Sequence, residues 1–172
     1  MATTAGGRGH VDGALAAAED HRWGAGVGDP LSHVTREGPY PDGQIATVLV
    51  ADDELHIVDL LASIAEELGH TVIRAGNGEQ ALRAILEHLP SLVLTDVMMP
   101  RLRGDELCRR VKASPETAWI AVVLLTSLPP GNFDEHGADA YIAKPFAIEQ
   151  VEVVVARFLS SGGVRGGRAT DV

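Results

Sequence analysis

The chain has 172 residues, 45% of them hydrophobic, and a formal net charge of −10 at pH 7. This length suits one domain with a sizeable core and some additional chain, and the negative charge disfavours non-specific binding to nucleic acid or to anionic membranes. No apolar run approaches the roughly 18 residues of a membrane span, no secretory signal pattern is present, and the single Cys108 excludes an intramolecular disulfide. We therefore expect a cytoplasmic protein without membrane contact or direct DNA binding.

The two ends of the chain differ in composition from its middle. Residues 1–44 contain nine of the 19 glycines and three of the nine prolines. We therefore expect a flexible, mostly disordered extension. We favour an expendable solvated tail as its role over a partner-binding arm. Residues 161–172 are rich in glycine, which predicts a flexible tail and no output domain there. The regular hydrophobic patterns all fall within residues 45–160, the predicted globular domain.

Residues 45–160 alternate between strand-like and helix-like patterns. Apolar runs typical of strands buried on both faces cover residues 45–51, 71–75, 91–96, 119–127 and 140–146. Segments with apolar residues at helical spacing cover residues 53–69, 79–89, 104–114 and 148–159, and Gly69 is a natural C-terminal stop. The residues predicted to face the core are Ile57, Leu61, Ile64, Leu68, Leu82, Ile85, Leu89, Leu107, Cys108, Val111, Ile148, Val151, Val155 and Phe158. This alternation predicts an α/β fold with a parallel sheet covered on both faces.

Polar residues end four of the five predicted strands, and ligands of such sheets sit beyond the carboxyl ends of the strands. Close carboxylates repel each other, and a divalent cation with oxygen ligands, Mg²⁺ or Mn²⁺, relieves that repulsion. A lysine and a hydroxyl beside them suit a phosphoryl group, and a carboxylate can attack phosphorus to form an aspartyl phosphate. The strand-end residues are Asp52, Asp53, Asp96, Thr126 and Lys144.

Four motifs in order carry a family resemblance. They are VLVADDE, LVLTDVMMP, VVLLTS and YIAKPF, with GNGEQAL between the first two. Together they resemble the receiver domain of response regulators in bacterial two-component signalling, over residues 45–159. The resemblance implies a flavodoxin-like, doubly wound sheet of five parallel strands in the order 2-1-3-4-5.

The resemblance also implies roles for individual residues. Asp96 would accept a phosphoryl group from a histidine kinase or a histidine phosphotransfer protein. Asp53, Asp96 and the backbone carbonyl of Met98 would bind the cation, and Asp52 would bind it through water.

Thr126 and Lys144 would hold phosphoryl oxygens, while Tyr141 would swing inward when Thr126 moves toward the phosphate. The Lys144–Pro145 bond matches one that is usually cis in the family.

Two features depart from the family. The interval from Thr126 to Lys144 is short and contains Pro129 and Pro130, which predicts that the fourth helix, between the last two strands, is short or missing. We hypothesise that residues 128–138 are mobile and become ordered on phosphorylation or partner binding.

Apolar Leu128 and Met98 occupy positions that gate water in the family, so we predict slow self-dephosphorylation. Arg103 also departs from the family, without a functional account from sequence.

Simpler interpretations compete at single positions. Asp52 also fits a helix N-cap, and Tyr141 also fits a half-buried core aromatic. A plain surface charge is the less favoured interpretation of Lys144, because only Lys112 and Lys144 among the 14 basic residues are lysine.

The favoured function is a single-domain response regulator that signals by protein contact or phosphorelay, and the family pattern also allows a homodimer. We expect it to have no enzymatic activity other than its own autophosphorylation and autodephosphorylation. The alternative is a phosphorylation-independent scaffold with the receiver shape. A phosphohydrolase ranks last, since Met98 occupies the place of its general acid.

Overall fold

The computed structural model describes residues 45–127 and 137–159. Five strands form one parallel sheet in the order β2-β1-β3-β4-β5, which confirms the predicted doubly wound fold. The strands are β1 Thr47–Ala51, β2 Thr71–Ala75, β3 Leu92–Asp96, β4 Ala121–Thr126 and β5 Ala140–Ala143. The helices are α1 Leu55–Glu67, α2 Gly78–His88, α3 Gly104–Ala113 and α4 Ile148–Leu159.

The core consists of two apolar layers, one on each face of the sheet. Strand residues alternate between the layers: Val48 and Val50 pack with α1 and α4, whereas Leu49 and Ala51 pack with α2 and α3. Strand β3 lies in the middle of the sheet, and all five of its residues are buried. The near-continuous apolar sequence of β3 follows from this burial on both faces.

The helix boundaries follow from local capping. After α1, Gly69 takes the left-handed conformation with φ +89°, as its predicted role as a stop requires. At the start of α2, Asn77 Oδ1 accepts a hydrogen bond from the Gln80 N–H at 3.0 Å, and Gln80 Oε1 accepts one from Gly76 N–H at 2.9 Å. This reciprocal cap explains why the GNG segment is a turn that opens a helix.

Four strands are shorter than predicted: β3 by one residue, β1 and β4 mainly at their N-terminal ends, and β5 at its C-terminal end, where it stops at Ala143 rather than at residue 146. Strand β1 begins at Thr47 rather than at residue 45, and Ile45 is exposed. Strand β4 begins at Ala121, because residues 115–119 form a turn in which Trp119 Nε1 donates to the carbonyl of Glu116. Apolar character alone therefore overestimated the lengths of β1 and β4 at their N-terminal ends.

Three apolar residues predicted to face the core are exposed: Leu68, Leu89 and Ile148. The first two are the C-terminal cap residues of α1 and α2, and the third is the first residue of α4. Helical periodicity continues to these positions in sequence, but at the helix ends it no longer determines which side chains are buried.

Several expectations concern residues outside the described ranges. These are the extension at residues 1–44, the tail at residues 161–172, and the short or missing fourth helix, with Leu128, at residues 128–136. Among the described helices, none combines the length and apolarity that crossing a membrane requires.

Candidate functional site

The carboxyl ends of the strands bring the predicted polar residues to one edge of the sheet. Asp52 directly follows β1 and Asp96 ends β3, which are neighbouring strands. Thr126 ends β4, and Lys144 directly follows β5. The strand order reverses between β1 and β3, so the site lies at the switch point where doubly wound sheets bind ligands.

The Lys144 ammonium joins the two aspartates at the centre of the site. Its Nζ lies 2.7 Å from Asp52 Oδ2 and 2.7 Å from Asp96 Oδ1. Both aspartates are buried, and the Lys144 side chain is only 15% exposed. Three residues separated by up to 92 positions therefore form one compact charged cluster, as the strand ends predicted.

Burial and ion pairing act in opposite directions on Asp52 and Lys144. Burial raises the pKa of Asp52 above its ordinary value of 3.8, although the bonds from Lys144 and from the Glu54 N–H act to lower it. Burial also acts to lower the pKa of Lys144, but its bonds to Asp52 and Asp96 outweigh this effect and raise it. Lys144 is thus a firmly held cation between two carboxyl groups.

Asp52 is not the helix N-cap that its position also suggested, since Glu54 is the N-cap of α1, but its side chain makes a local turn. Its Oδ1 accepts a hydrogen bond from the Glu54 N–H at 2.9 Å, just before α1 begins. This bond orients the carboxyl group for Lys144, so the turn and the site use the two different oxygens of Asp52.

The loop after β3 holds Asp96 by its backbone. The Met98 N–H donates to Asp96 Oδ2 at 2.5 Å, while Lys144 takes the other carboxyl oxygen. The Gly104 N–H donates to the Val97 carbonyl at 3.0 Å, and a Cβ on Gly104 would lie 2.0 Å from the Asp96 carbonyl oxygen. Only glycine therefore fits where α3 starts beneath the aspartate.

A divalent cation fits the chemistry of this edge with a small set of protein ligands. Asp52 and Asp96 supply carboxylate oxygens, whereas Asp53, the next residue after Asp52 in sequence, is exposed. Within residues 45–127 and 137–159, no group of three or more acidic, histidine or cysteine side chains is arranged to hold a metal ion. Mg²⁺ needs no such group, since it commonly binds one or two carboxylates and keeps several waters.

Thr126 and Tyr141 lie on the two strands at the other side of the cluster. Thr126 is 3% exposed, and its carbonyl accepts a 2.8 Å hydrogen bond from the Lys144 N–H. Tyr141 is half-buried, pairs with Leu124 across β4 and β5, and packs against the apolar layer of α2 and α3. The peptide bond between Lys144 and Pro145 is cis.

Arg103 has a position that sequence reasoning did not explain. Its guanidinium forms two 3.1 Å bonds with the Asp105 carboxylate, and its Nη1 lies 3.2 Å from Met98 Sδ. The bonds to Asp105, opposed only weakly by burial, raise the pKa of Arg103. Arg103 therefore contacts the side chain of Met98, which follows Asp96 by two residues. In the sequence, only the two-residue spacing between Arg103 and Asp105 pointed to an ion pair here.

Comparisons with known proteins agree with the fold. The sequence profile of the response regulator receiver domain matches residues 48–156. The alkaline phosphatase synthesis transcriptional regulatory protein PhoP of Bacillus subtilis is 36% identical over 117 residues, which cover 65% of this chain and 48% of PhoP. The chain spans about half the length, or less, of the curated relatives it matches.

Solved receiver domains have the same architecture. The signal receiver domain of a signal transduction histidine kinase from Syntrophus aciditrophicus is 30% identical, with a TM-score of 0.63 over 74% of this chain and 98% of that domain. The BeF3-activated DrrB receiver domain is 31% identical, with a TM-score of 0.61 over 67% of this chain and 97% of that domain. With the profile covering more than half of the residues, the chain belongs to the response regulator receiver domain family of two-component signal transduction.

Proposed function

We propose that Asp96 accepts a phosphoryl group from a histidine kinase or a histidine phosphotransfer protein. The observation that carries this proposal is the placement of the Lys144 Nζ, 2.7 Å from both Asp52 Oδ2 and Asp96 Oδ1. A buried carboxylate held by a lysine, at the switch point of a receiver fold, is suited to nucleophilic attack on phosphorus.

Each residue of the cluster has a task in the transfer. A carboxylate oxygen of Asp96 forms a new P–O bond, while the P–N bond to the donor imidazole breaks and its electron pair stays on the nitrogen. Lys144 exchanges its bond to the Asp96 carboxylate for one to a phosphoryl oxygen. Its positive charge thereby stabilises the charge on the transferred group.

The cation ligands in this proposal are Asp52, through water, and Asp53, Asp96 and the backbone carbonyl of Met98. A bound Mg²⁺, or Mn²⁺, would neutralise negative charge on the transferred phosphoryl oxygens. The turn that fixes Asp52 through the Glu54 N–H supports this assignment, because it leaves the carboxyl group facing Asp96 across Lys144.

The signal would leave the site through Thr126 and Tyr141. The Thr126 hydroxyl would take a second phosphoryl oxygen, and Tyr141 would follow Thr126 inward. Support comes from the positions of buried Thr126 and half-buried Tyr141 on neighbouring strands. Further support is the bond from the Lys144 N–H to the Thr126 carbonyl, which ties β4 to the residue that binds the phosphoryl group.

We further propose that the protein acts as a single-domain regulator in the cytoplasm, by contact with a downstream protein or by passing the phosphoryl group on. The net charge of −10 supports output through protein contact instead of DNA binding. A homodimer is compatible with this output. In this proposal the chain has no enzymatic activity other than gain and loss of its own phosphoryl group.

Intact mass spectrometry tests the phosphoacceptor. The protein is treated with acetyl phosphate and Mg²⁺, and we expect a mass gain of one phosphoryl group that Asp96→Asn abolishes and the exposed Asp59→Asn retains. No mass gain, either with acetyl phosphate or with a phosphorylated histidine phosphotransfer domain, would instead favour the phosphorylation-independent scaffold.

A further inference from the structure

A groove lies between α2, α3 and the loop that joins β3 to α3. Its volume is about 490 Å³, and we call it the arginine groove. Its lining residues are Glu79, Leu82, Arg83, Arg101, Leu102 and Arg110. A pocket of this volume falls within the range that small molecules occupy in proteins.

The walls of the groove are fixed by a close backbone contact. A Cβ on Gly78 would lie 2.0 Å from the Leu102 carbonyl oxygen, so the loop rests directly on the first turn of α2. Arg101 has a left-handed backbone with φ +68°, which a non-glycine residue adopts only where its surroundings impose it. The groove is therefore built into the fold and needs little reorganisation to bind a ligand.

The charge of the groove opposes that of the whole chain. Three arginines line it against one carboxylate, in a protein with a net charge of −10. Arg101 Nη1 lies 3.6 Å from Glu79 Oε2, and both side chains are more than half exposed, so this pair is weak and can yield to a ligand anion.

The other two arginines use only their Nε atoms in contacts with described residues. Arg83 Nε donates to the Glu79 carbonyl at 3.4 Å, and Arg110 Nε donates to Glu106 Oε1 at 2.9 Å. Within the described part of the chain, the terminal nitrogens of both guanidiniums thus keep their donors for a ligand.

We propose that the arginine groove binds a mononucleotide, with Arg83, Arg101 and Arg110 on the phosphate and Leu82 against the base. Guanidinium forks match phosphate oxygens in pairs. The volume exceeds what an inorganic phosphate ion needs, and the half-buried Leu82 offers an apolar surface to a planar ring. This site is separate from Asp96 and does not depend on its phosphorylation.

The test is a calorimetric titration of the full chain with AMP, adenosine and inorganic phosphate, in low salt with EDTA so that no cation is held at the acidic cluster. We expect AMP to bind about tenfold more tightly than either fragment, since each contributes part of the contacts. Binding of adenosine or phosphate as tight as AMP, or no binding of AMP, would overturn the proposal.

Three single variants, Arg83→Gln, Arg101→Gln and Arg110→Gln, locate the site. Each should weaken AMP binding by about fivefold or more, since a charge-assisted bond to phosphate is lost. The matched control is Arg109→Gln, which removes the same charge from the same helix outside the groove and should change affinity less than twofold. An equal loss of AMP affinity in Arg109→Gln would mean non-specific attraction and would overturn the proposed site.

Amide chemical shifts induced by AMP in the wild type should map to α2 and α3. Shifts centred on Asp96 would overturn the proposal as well.

Discussion

The Lys112 ammonium and the Asp139 carboxylate form an ion pair at the opposite end of the sheet from Asp96. Lys112 Nζ lies 2.5 Å from Asp139 Oδ2 and donates to the Ile120 carbonyl at 2.7 Å. The same Asp139 oxygen accepts the Val122 N–H at 2.7 Å. The pair ties the end of α3 to the start of β4 and to the residue before β5, and both side chains are less than 20% exposed.

Asp139→Ala should destabilise the fold by about 3 kcal/mol, because it leaves a largely buried ammonium without its counter-charge and the Val122 N–H without its acceptor. The double variant Lys112→Met/Asp139→Leu should lose less than Asp139→Ala alone, since no charge is stranded. Urea unfolding measures both, with the exposed Asp59→Ala as the control. A double variant that is less stable than Asp139→Ala would contradict this account.

The two lysines show how far the sequence could predict the site. Because lysine is rare in this chain, Lys144 stood out in the sequence. Its place at the carboxyl end of the fifth strand predicted that it lies beside Asp96, as the structure confirms. The same scarcity applied to Lys112, but its partner Asp139 is 27 positions away and no strand-end rule connects them. Every described arginine is exposed, so this chain uses the compact ammonium of lysine where a cation is largely buried.

Other features could not be read from sequence because they depend on side-chain packing in three dimensions. The contact between Arg103 and Met98 requires the turn of the loop after β3, which no periodicity encodes. The arginine groove likewise gathers residues from two helices and a loop. In contrast, the alternation of strand and helix patterns predicted the parallel sheet directly, and the resemblance carried by the four motifs implied its strand order, which the structure confirms.

Gly104→Ala should disturb the site directly, because its Cβ would lie 2.0 Å from the Asp96 carbonyl oxygen, a backbone atom that cannot rotate away. We expect a loss of about 2 kcal/mol or more in stability and a sharp fall in phosphorylation by acetyl phosphate. Gly76→Ala is the matched control, since its Cβ would meet only the Gln80 side chain at 3.6 Å. Equal stability of the two variants in thermal unfolding would show that the loop can move away from the new methyl group.

Asp52→Asn should stabilise the protein at pH 7, because burial of the charged carboxyl is the largest influence on the pKa of Asp52 and Asn keeps an oxygen for the Glu54 N–H. A carboxyl whose folded pKa is raised contributes stability below its unfolded pKa, near 3.8, and loses it as the pH rises through the folded pKa. The advantage of the variant should therefore shrink as the pH falls from 7 toward 4. Urea unfolding across that range checks this, and a variant less stable than wild type at pH 7 would rule it out.

Cys108 should resist thiol reagents in the native protein. It is fully buried, and burial raises the pKa of its thiol to about 12, so almost no thiolate exists at pH 8. Labelling with a maleimide at pH 8 should follow global unfolding in urea. Fast labelling without urea would indicate local opening between α3 and the sheet.

Arg103→Ala should shorten the lifetime of phosphorylated Asp96. Arg103, fixed by its two bonds to Asp105, holds the Met98 thioether, and Met98 is the apolar residue expected to limit the approach of water to the phosphoryl group. Without that contact the exposed Met98 side chain moves more freely, and hydrolysis of the aspartyl phosphate should become roughly threefold faster, which is less than 1 kcal/mol in the barrier.

The rate of phosphate release after removal of the phosphodonor measures this change. Arg109→Ala, on the helix that Arg103 precedes and paired with Glu106, should leave the rate unchanged. A longer lifetime in Arg103→Ala would mean that Arg103 promotes hydrolysis and that the contact with Met98 is incidental.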